Sequence, residues 1–323
     1  MAFANVTTSH HRKTNRSLHG TKVADYLRTM RVVSLVPSWT EFLHDVEVTV
    51  VGQTKFCVRP PEAYRAVARV GGTKTVDLQR VMDLEPDVVV ANREENDRDQ
   101  VTALATALPN ASVLLTDVRT VEDAWTEMRR LGRALNRPTE VSDLVDRIQT
   151  RWGAARPEAG KAGYAVWAKP WMAAGQDTFI HSVMAHWGIG NAIGAHASYD
   201  RYPTLGEDFT EGARGADVWL LPSEPFPFKD KHLSPILARH PETKCMLVDG
   251  EAFSWYGSRM AHVADYLRDV AHWVAKANGW EARGASGCQT CSPLCDERVI
   301  KIYASLTGCQ FGTGRRALAS GLV

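Results

Sequence analysis

The sequence has no apolar run long enough for a membrane span, since no stretch of about 18 hydrophobic residues occurs in it. It also has no excess of charge, because 38 lysines and arginines are matched by 37 aspartates and glutamates. Without a strong net field, the chain lacks the means to attract nucleic acid or an anionic membrane surface. We therefore expect neither a transmembrane protein nor a polyanion-binding one.

Cysteine is scarce in the body of the chain, where only Cys57 and Cys245 occur. A disulfide scaffold needs far denser cysteines, so the body is not one. The other four thiols lie near the end of the chain: Cys288, Cys291, Cys295 and Cys309. The alternative for these four thiols is a zinc site or an iron–sulfur cluster, but their spacing is irregular for either. We predict that residues 281–323 form an appended, poorly ordered tail.

Residues 1–29 contain several basic residues but lack the apolar core of a secretory signal. Two interpretations remain, an organelle transit peptide or a disordered extension, and we favour the extension because Met30 directly precedes the first strand. On this basis we expect a cytoplasmic protein.

Enzyme signatures are missing as well. There is no GxSxG elbow and no GxxxxGK[ST] loop, and GIGNAIG has the wrong spacing for a GxGxxG fingerprint. His181 and Cys57 are weak metal-ligand candidates, because no HExxH, CxxH or paired-carboxylate pattern frames them and packing is the default role of a lone cysteine. We expect no catalytic machinery and no intrinsic cofactor.

The sequence does contain an alternation of strand-length apolar runs and helical stretches. In the first half, strands are predicted at 31–36, 48–52, 87–91 and 113–116, and helices at 38–44, 77–84 and 97–108. Such runs indicate a parallel sheet buried on both faces, and hence an α/β lobe over 31–120. Ser38 and Glu41 have the spacing of a capping box.

The second half repeats this order. Strands are predicted at 163–168, 217–221 and 244–248, and helices near 178–187 and 258–277. Pro37 and Pro170 lie 133 positions apart, and Asp117 and Asp249 lie 132 apart. We predict a second α/β lobe of matching topology over 160–280, although restricted strand spacing alone can produce such coincidences.

Residues 121–155 are rich in strong helix formers and have one proline, Pro138. They predict one long or broken connecting helix between two Rossmann-like lobes. Lobes joined in this way shift only slightly against each other, so ligand capture should involve modest motion.

Ligands of parallel sheets bind beyond the carboxyl ends of the strands, so the loops of both lobes should face one cleft. Aromatic side chains with a few polar groups between them suit a large planar ligand, although each aromatic could instead cover the core. The ligand-binding candidates in these loops are Ser38, Trp39, Lys55, Phe56, Trp171, Glu224, Phe226, Phe228, Trp255, Tyr256 and Arg259.

Several segments together resemble the helical-backbone receptors for metal chelates, the group that includes cobalamin-, siderophore- and haem-binding proteins of bacterial import systems. The resemblance extends over residues 31–277 and rests on RVVSLVPSWTEFL, VVGQTKFCVRPPEA, RVGGTKTVDLQRVMDLEPDVVVANREEN, WMAAGQDTFIH and DGEAFSWYGSRM. It implies two lobes bridged by a long helix, with a cobalamin or other corrinoid, a haem or a ferric siderophore held between them, and no catalysis.

The resemblance also implies particular residue roles. Trp255 and Tyr256 match an aromatic pair near the family's last strand. Gln79 stands where transporter-coupled members have an acidic residue that docks an ABC permease, and the counterpart in the second lobe lies near Glu207 or Asp208. We expect a monomeric binding protein, the alternative being a cytosolic enzyme or metallochaperone that acts on a tetrapyrrole or metal chelate through Cys57 and His181.

Overall fold

A computed structural model describes residues 29–193, 201–205, 216, 218–239, 241–279 and 299–301. The strands are β1 (Val32–Ser34), β2 (Val50–Gln53), β3 (Ala68–Arg69), β4 (Val88–Asn92), β5 (Ser112–Thr116), β6 (Gly160–Ala168), β7 (Trp171–Ala173), β8 (Ile189–Asn191), β9 (Val218–Pro222), β10 (Lys244–Val248) and β11 (Val299–Lys301). The helices are α1 (Pro37–Asp45), α2 (Pro61–Ala66), α3 (Leu78–Asp83), α4 (Arg98–Ala107), α5 (Val121–Ala134), α6 (Pro138–Trp152), α7 (Phe179–His186), α8 (Leu233–Arg239), α9 (Gly250–Ser254) and α10 (Met260–Ala277). A short 3-10 helix, Asp230–His232, precedes α8.

The N-terminal lobe contains a five-stranded parallel sheet in the order β3-β2-β1-β4-β5. All residues of β1 and β4 are buried, as expected for strands covered by helices on both faces. The aspartates that precede α3 and α4, Asp77 and Asp97, accept hydrogen bonds from the first backbone N–H groups of these helices. The prediction of an α/β lobe with a parallel sheet is confirmed.

The C-terminal lobe contains a sheet in the order β11-β10-β9-β6-β7, with β8 also paired to β6. The parallel series β8-β6-β9-β10 corresponds strand by strand to β2-β1-β4-β5 of the first lobe. The two lobes therefore have the matching topology that the sequence offsets predicted.

Four of the described strands, β3, β7, β8 and β11, are absent from the sequence prediction, and two of them need comment. β7 is antiparallel to β6 and follows it through the tight Lys169–Pro170 connection. β11 lies within the predicted poorly ordered tail but pairs in parallel with β10, so that prediction is wrong for Val299–Lys301. The four tail cysteines and residues 1–28 lie outside the described residues.

The predicted capping box at Ser38 and Glu41 is wrong. α1 begins at Pro37, its N-cap residue is Val36, and no side chain caps it. Proline tolerates the first helical position because it has no N–H that needs a partner. Ser38 is buried within the first turn, and the Glu41 carboxylate accepts hydrogen bonds from Arg259 of the other lobe.

The connecting segment is broken into two helices, the second of the two alternatives that the sequence left open. Asn136, with a φ of 58°, lies between α5 and α6. Arg129 donates hydrogen bonds to Asp146 at 2.8 Å and Gln149 at 3.2 Å, so the two helices run antiparallel as a hairpin. The two lobes are thus connected by a short helical hairpin and not by one long helix.

One hydrophobic core continues through both lobes and the helical hairpin. It includes Phe42 of α1, Trp152 of α6 and Phe253 of α9. The Trp152 indole N–H donates to the carbonyl of Met260 at 2.7 Å, which ties α6 to the start of α10. Because the core is shared, the lobes cannot separate widely without exposing apolar surface.

The close contact of α5 and α6 depends on Gly132. A Cβ atom at this position would lie 2.7 Å from Val141 Cβ and 2.8 Å from its Cγ2. We expect Gly132→Ala to destabilise the protein by about 1–3 kcal/mol through overpacking, despite the ~1 kcal/mol that alanine normally contributes over glycine in a helix. Urea unfolding would measure the change.

The control is the same substitution in a Val141→Gly background, which lacks the Cβ atom that the new methyl group would meet at 2.7 Å. Gly132→Ala should destabilise that background less than it destabilises the wild type. A single variant as stable as the wild type would show that the two helices are not packed as described.

Candidate functional site

The carboxyl ends of the two sheets face each other, and the loops that follow the strands meet across the lobes. Arg59, after β2, lies 3.3 Å from the carboxylate of Glu251 in α9. Arg201 donates to Glu94 at 2.8 Å, and the Tyr256 hydroxyl donates to Glu95 at 3.1 Å. These contacts bring the loops after β2, β4 and β10 to one inter-lobe site.

A buried chain of charges closes one side of this site. The Arg259 guanidinium is only 3% exposed and donates two hydrogen bonds to Glu41, at 2.8 and 2.5 Å. A third nitrogen lies 2.8 Å from Glu251, which also contacts Arg59. All three guanidinium nitrogens of Arg259 contact carboxylates, so this residue joins the lobes. A direct ligand contact by Arg259 stays a prediction.

The aromatic residues at the base of the site are packed between the lobes. Trp39 is fully buried, donates to the Thr116 hydroxyl at 2.9 Å and lies 4.6 Å from the Tyr256 ring. Trp255 is 7% exposed, with the Arg259 guanidinium 5.1 Å from its ring centroid. Ser38, Trp39, Trp255 and Tyr256 therefore form the base, and their assignment as direct ligand contacts stays a prediction.

Gly257 shows how closely the two lobes approach there. A Cβ atom on this residue would lie 3.1 Å from Phe42 Cβ and 3.4 Å from the Ser38 carbonyl oxygen, and its φ is +89°. The loop after α9 can therefore cross α1 only with glycine at this position.

Each lobe contributes one partly buried carboxyl to the site. Burial, and then the nearby charges of Glu94 and Glu224, raise the pKa of Glu95 to about 7. Burial and Glu251 raise the pKa of Glu224 to about 7, although Ser254 donates to its carboxyl oxygen at 3.1 Å. At neutral pH both groups change charge readily, so they can donate as well as accept hydrogen bonds.

Glu95 is not among the ligand candidates from the sequence, although Glu224 is. Its loop is held by Asn92, whose side-chain oxygen accepts from the N–H of Glu94 at 2.8 Å, and by Asn96, which donates to the carbonyls of Leu35 and Thr73. The signal was the polar run Asn92–Asn96 directly after an entirely apolar strand, but the sequence alone does not show which acid faces the other lobe.

Four aromatic rings of the C-terminal lobe form a continuous cluster, the aromatic shelf, at the carboxyl ends of β6 and β9, and Phe228 is its buried member. Trp171 stacks on Phe228 at 5.6 Å, Phe226 meets Phe228 at 4.8 Å, and Trp167 meets Phe226 at 5.3 Å. Trp167 is 42% exposed. The structure thus brings the predicted Trp171, Phe226 and Phe228 together. It adds Trp167, which was not a ligand candidate because its strand was predicted to be buried on both faces.

The N-terminal lobe contributes an exposed aromatic ring. Phe56, in the loop after β2, is 51% exposed, and the Lys55 ammonium lies 5.1 Å from its ring centroid. An exposed phenylalanine beside a cation is available for contact with a ligand.

The two weak metal candidates are separated. Cys57 is fully buried, 2.9 Å from the Thr40 hydroxyl and 3.2 Å from that of Thr54, and burial raises the pKa of its thiol. His181 lines a different cavity of about 290 Å³ with Glu158, Lys161 and Asn191 at the amino end of β6. No group of three or more potential metal ligands occurs among the described residues. The structure therefore does not assemble the pair on which the enzymatic alternative rests.

Comparison with known families identifies this architecture. A family model described as periplasmic binding protein matches residues 32–221, more than half of the chain. The chain belongs to the periplasmic binding protein family. Within the described residues of this periplasmic binding protein, every helix is too short or too polar to cross a membrane.

Curated relatives match part of this periplasmic binding protein. The vitamin B12-binding protein of Salmonella typhi is 29% identical over 168 residues, which are 50% of this chain and 62% of the relative. The vitamin B12-binding protein of Pectobacterium carotovorum is 26% identical over 136 residues, 41% of this chain and 48% of the relative. The chain thus spans less than two thirds of the length of these relatives.

Solved structures of the same type cover more of the chain. The periplasmic vitamin B12 binding protein BtuF of Vibrio cholerae superposes with a TM-score of 0.60 at 14% identity, over 76% of this chain and 98% of its own. The periplasmic heme-binding protein RhuT from Roseiflexus gives a TM-score of 0.62 at 18% identity, over 78% and 100%. This likeness shows the two-lobed fold.

The raised pKa values of Glu95 and Glu224 predict a pH-dependent stability. Between about pH 4.5 and 7 the folded protein holds more protons on these two groups than the unfolded chain, so the free energy of unfolding should fall as pH rises through this range and level off above it. The variant Glu95→Gln/Glu224→Gln should lose this slope and, at pH 8, unfold a few degrees above the wild type, equivalent to about 1 kcal/mol.

Thermal unfolding of both proteins from pH 5 to 8 would measure the effect. Glu62 and Glu140 are exposed glutamates, so Glu62→Gln/Glu140→Gln is a matched control that should keep the wild-type slope. Parallel pH profiles of the wild type and the Glu95/Glu224 variant would contradict the prediction.

Proposed function

We propose that this protein captures a large planar metal chelate, a cobalamin or other corrinoid, a haem or a ferric siderophore, between its two lobes. The main support is that the aromatic shelf and Phe56 lie beyond the carboxyl ends of strands in opposite lobes, the ends at which ligands of parallel sheets bind, together with the carboxyls of Glu95 and Glu224. Aromatic surfaces with a few directed polar groups suit a ligand that is held by stacking and hydrogen bonds.

The metal would belong to the cargo and not to the protein. A chelate carries its own metal ligands, so the protein needs only to bind the outside of the chelate and exclude water. Cys57 and His181 would then have structural roles, consistent with the burial of Cys57 between two threonine hydroxyls. On this proposal the protein has no intrinsic cofactor and no catalytic activity.

Capture would require little motion of the lobes. The shared core and the buried contacts of Arg259 with Glu41 and Glu251 resist wide separation. Small changes at the loop that carries Phe56 and at the end of β6, where Trp167 lies, would be enough to admit a flat ligand from the side.

The named relatives support this ligand class without choosing among its members. Relatives and solved structures of the family are named for binding vitamin B12 or heme. We include delivery to an ABC permease in the proposal. Gln79, at the expected docking position in the first lobe, is exposed on α3 and donates to Asp83 at 2.8 Å, so that contact would be made by a neutral side chain. The second-lobe position near Glu207 or Asp208 lies outside the described residues.

Absorbance titration with cyanocobalamin, haemin and a ferric hydroxamate siderophore would test the proposal. We expect at least one to bind with a Kd below about 1 μM. Phe56→Ala and Trp167→Ala should each weaken that binding by about tenfold or more, because exposed aromatic anchors contribute much of the contact energy.

Leu115, which is 40% exposed on β5, provides the control substitution Leu115→Ala, and this variant should bind as the wild type does. Circular dichroism would verify that all three variants are folded. If none of the ligands binds more tightly than about 100 μM, the proposal is wrong.

A further inference from the structure

The aromatic shelf is bordered by basic residues that play no part in the contacts between the lobes. Lys169 follows β6, and Lys229 and Lys231 follow the loop that contains Phe226 and Phe228. All three side chains are exposed. Within the described part of the chain, none of the three forms an ion pair. Their charges are therefore available to a ligand.

His232 connects these lysines to the shelf. Its imidazole lies 5.1 Å from the Phe226 ring and 5.7 Å from the Phe228 ring, edge to face in both cases. After burial, the charges of Lys231, Lys229 and Lys169 contribute to lowering the pKa of His232. Three ammonium groups thus act on one imidazole at the edge of an aromatic surface.

The hydrogen bond of His232 fixes which of its nitrogens is a donor. Nδ1 accepts the backbone N–H of Lys229 at 2.9 Å. The proton of the neutral imidazole is therefore on Nε2, which can donate to a ligand. In this state neither nitrogen has a free lone pair for a metal, so His232 suits an anionic oxygen and not an axial metal ligand.

Three arginines at the base of the inter-lobe site are already paired with carboxylates. Arg59 and Arg259 contact Glu251, and Arg201 contacts Glu94. The base of the site carries carboxyls, which disfavour a negative charge on the ligand at that point. A negatively charged substituent would therefore be directed away from the base and toward the lysines at the shelf.

We propose that the aromatic shelf, with Lys169, Lys229, Lys231 and the Nε2–H of His232, is a subsite for a phosphate or carboxylate group carried by the planar ligand. This inference rests on the proposed function and specifies the chemistry of its ligand. The ring system stacks on Trp167 and Phe226, while its anionic group accepts hydrogen bonds from the ammonium groups and the imidazole.

Two pairs of probes separate carboxylate from phosphate. Haemin carries two carboxylates that its dimethyl ester lacks, and cyanocobalamin carries a phosphate that dicyanocobinamide lacks. For the member with the anionic group that the wild type binds, the shelf variant, Lys169→Gln/Lys229→Gln/Lys231→Gln, should lose about tenfold or more in affinity. For the partner that lacks this group the change should stay below about threefold.

A matched control removes three exposed positive charges elsewhere. Arg147, Lys161 and Lys276 lie on α6, at the amino end of β6 and at the end of α10, and Arg147→Gln/Lys161→Gln/Lys276→Gln should bind every probe as the wild type does. If the shelf variant binds the probe that carries the anionic group with unchanged affinity, the proposed subsite is wrong while the proposed function stands.

A second measurement does not depend on capture of a chelate. Titration with phenyl phosphate should move the NMR signal of the His232 Cε1 proton to saturation in the wild type and not in the shelf variant, and benzyl alcohol should not move it. If the wild type binds none of the four chelate probes, the proposed function fails, and this titration alone decides the subsite. If phenyl phosphate causes no saturable shift of the His232 signal in the wild type, the proposed subsite is wrong.

Discussion

The buried guanidinium of Arg259 determines how the two lobes meet. It is 3% exposed and contacts Glu41 of one lobe and Glu251 of the other, and Arg59 extends the chain of charges across the boundary. Removal of one partner from a buried ion pair leaves an uncompensated charge, which typically costs about 3–5 kcal/mol. The loops that form the inter-lobe site are therefore held at a fixed spacing at this point, while Phe56 and Trp167 remain exposed.

The main alternation of strands and helices could be predicted because it depends on local patterns. Val88–Asn92 is an apolar run with turn residues on both sides, and Asp97 is an N-cap signal directly before a helical stretch. The repeated spacing predicted two lobes with the same topology, which the corresponding strand orders confirm. These features require no knowledge of which residues meet in space.

Features that depend on distant contacts could not be predicted in the same way. Glu41 has the spacing of a capping residue, but its partner is Arg259, 218 positions away. Trp167 lies in a strand that reads as buried on both faces, and it is exposed because β6 turns directly into the antiparallel β7. β11 has only three residues, and nothing local shows that it pairs with β10.

For the same reason, the candidate site could be predicted only in part. The rule that ligands bind beyond the carboxyl ends of parallel strands identified the correct loops, but it did not distinguish the base of the site from its walls. Trp39 and Arg259, which look like ligand contacts in the sequence, are occupied by Thr116 and by two carboxylates. Because these polar groups are satisfied within the protein, Trp39 and Arg259 need no ligand to complete their hydrogen bonds. The exposed rings of Trp167 and Phe56 belong to different lobes, so each lobe can present one ring to a flat molecule.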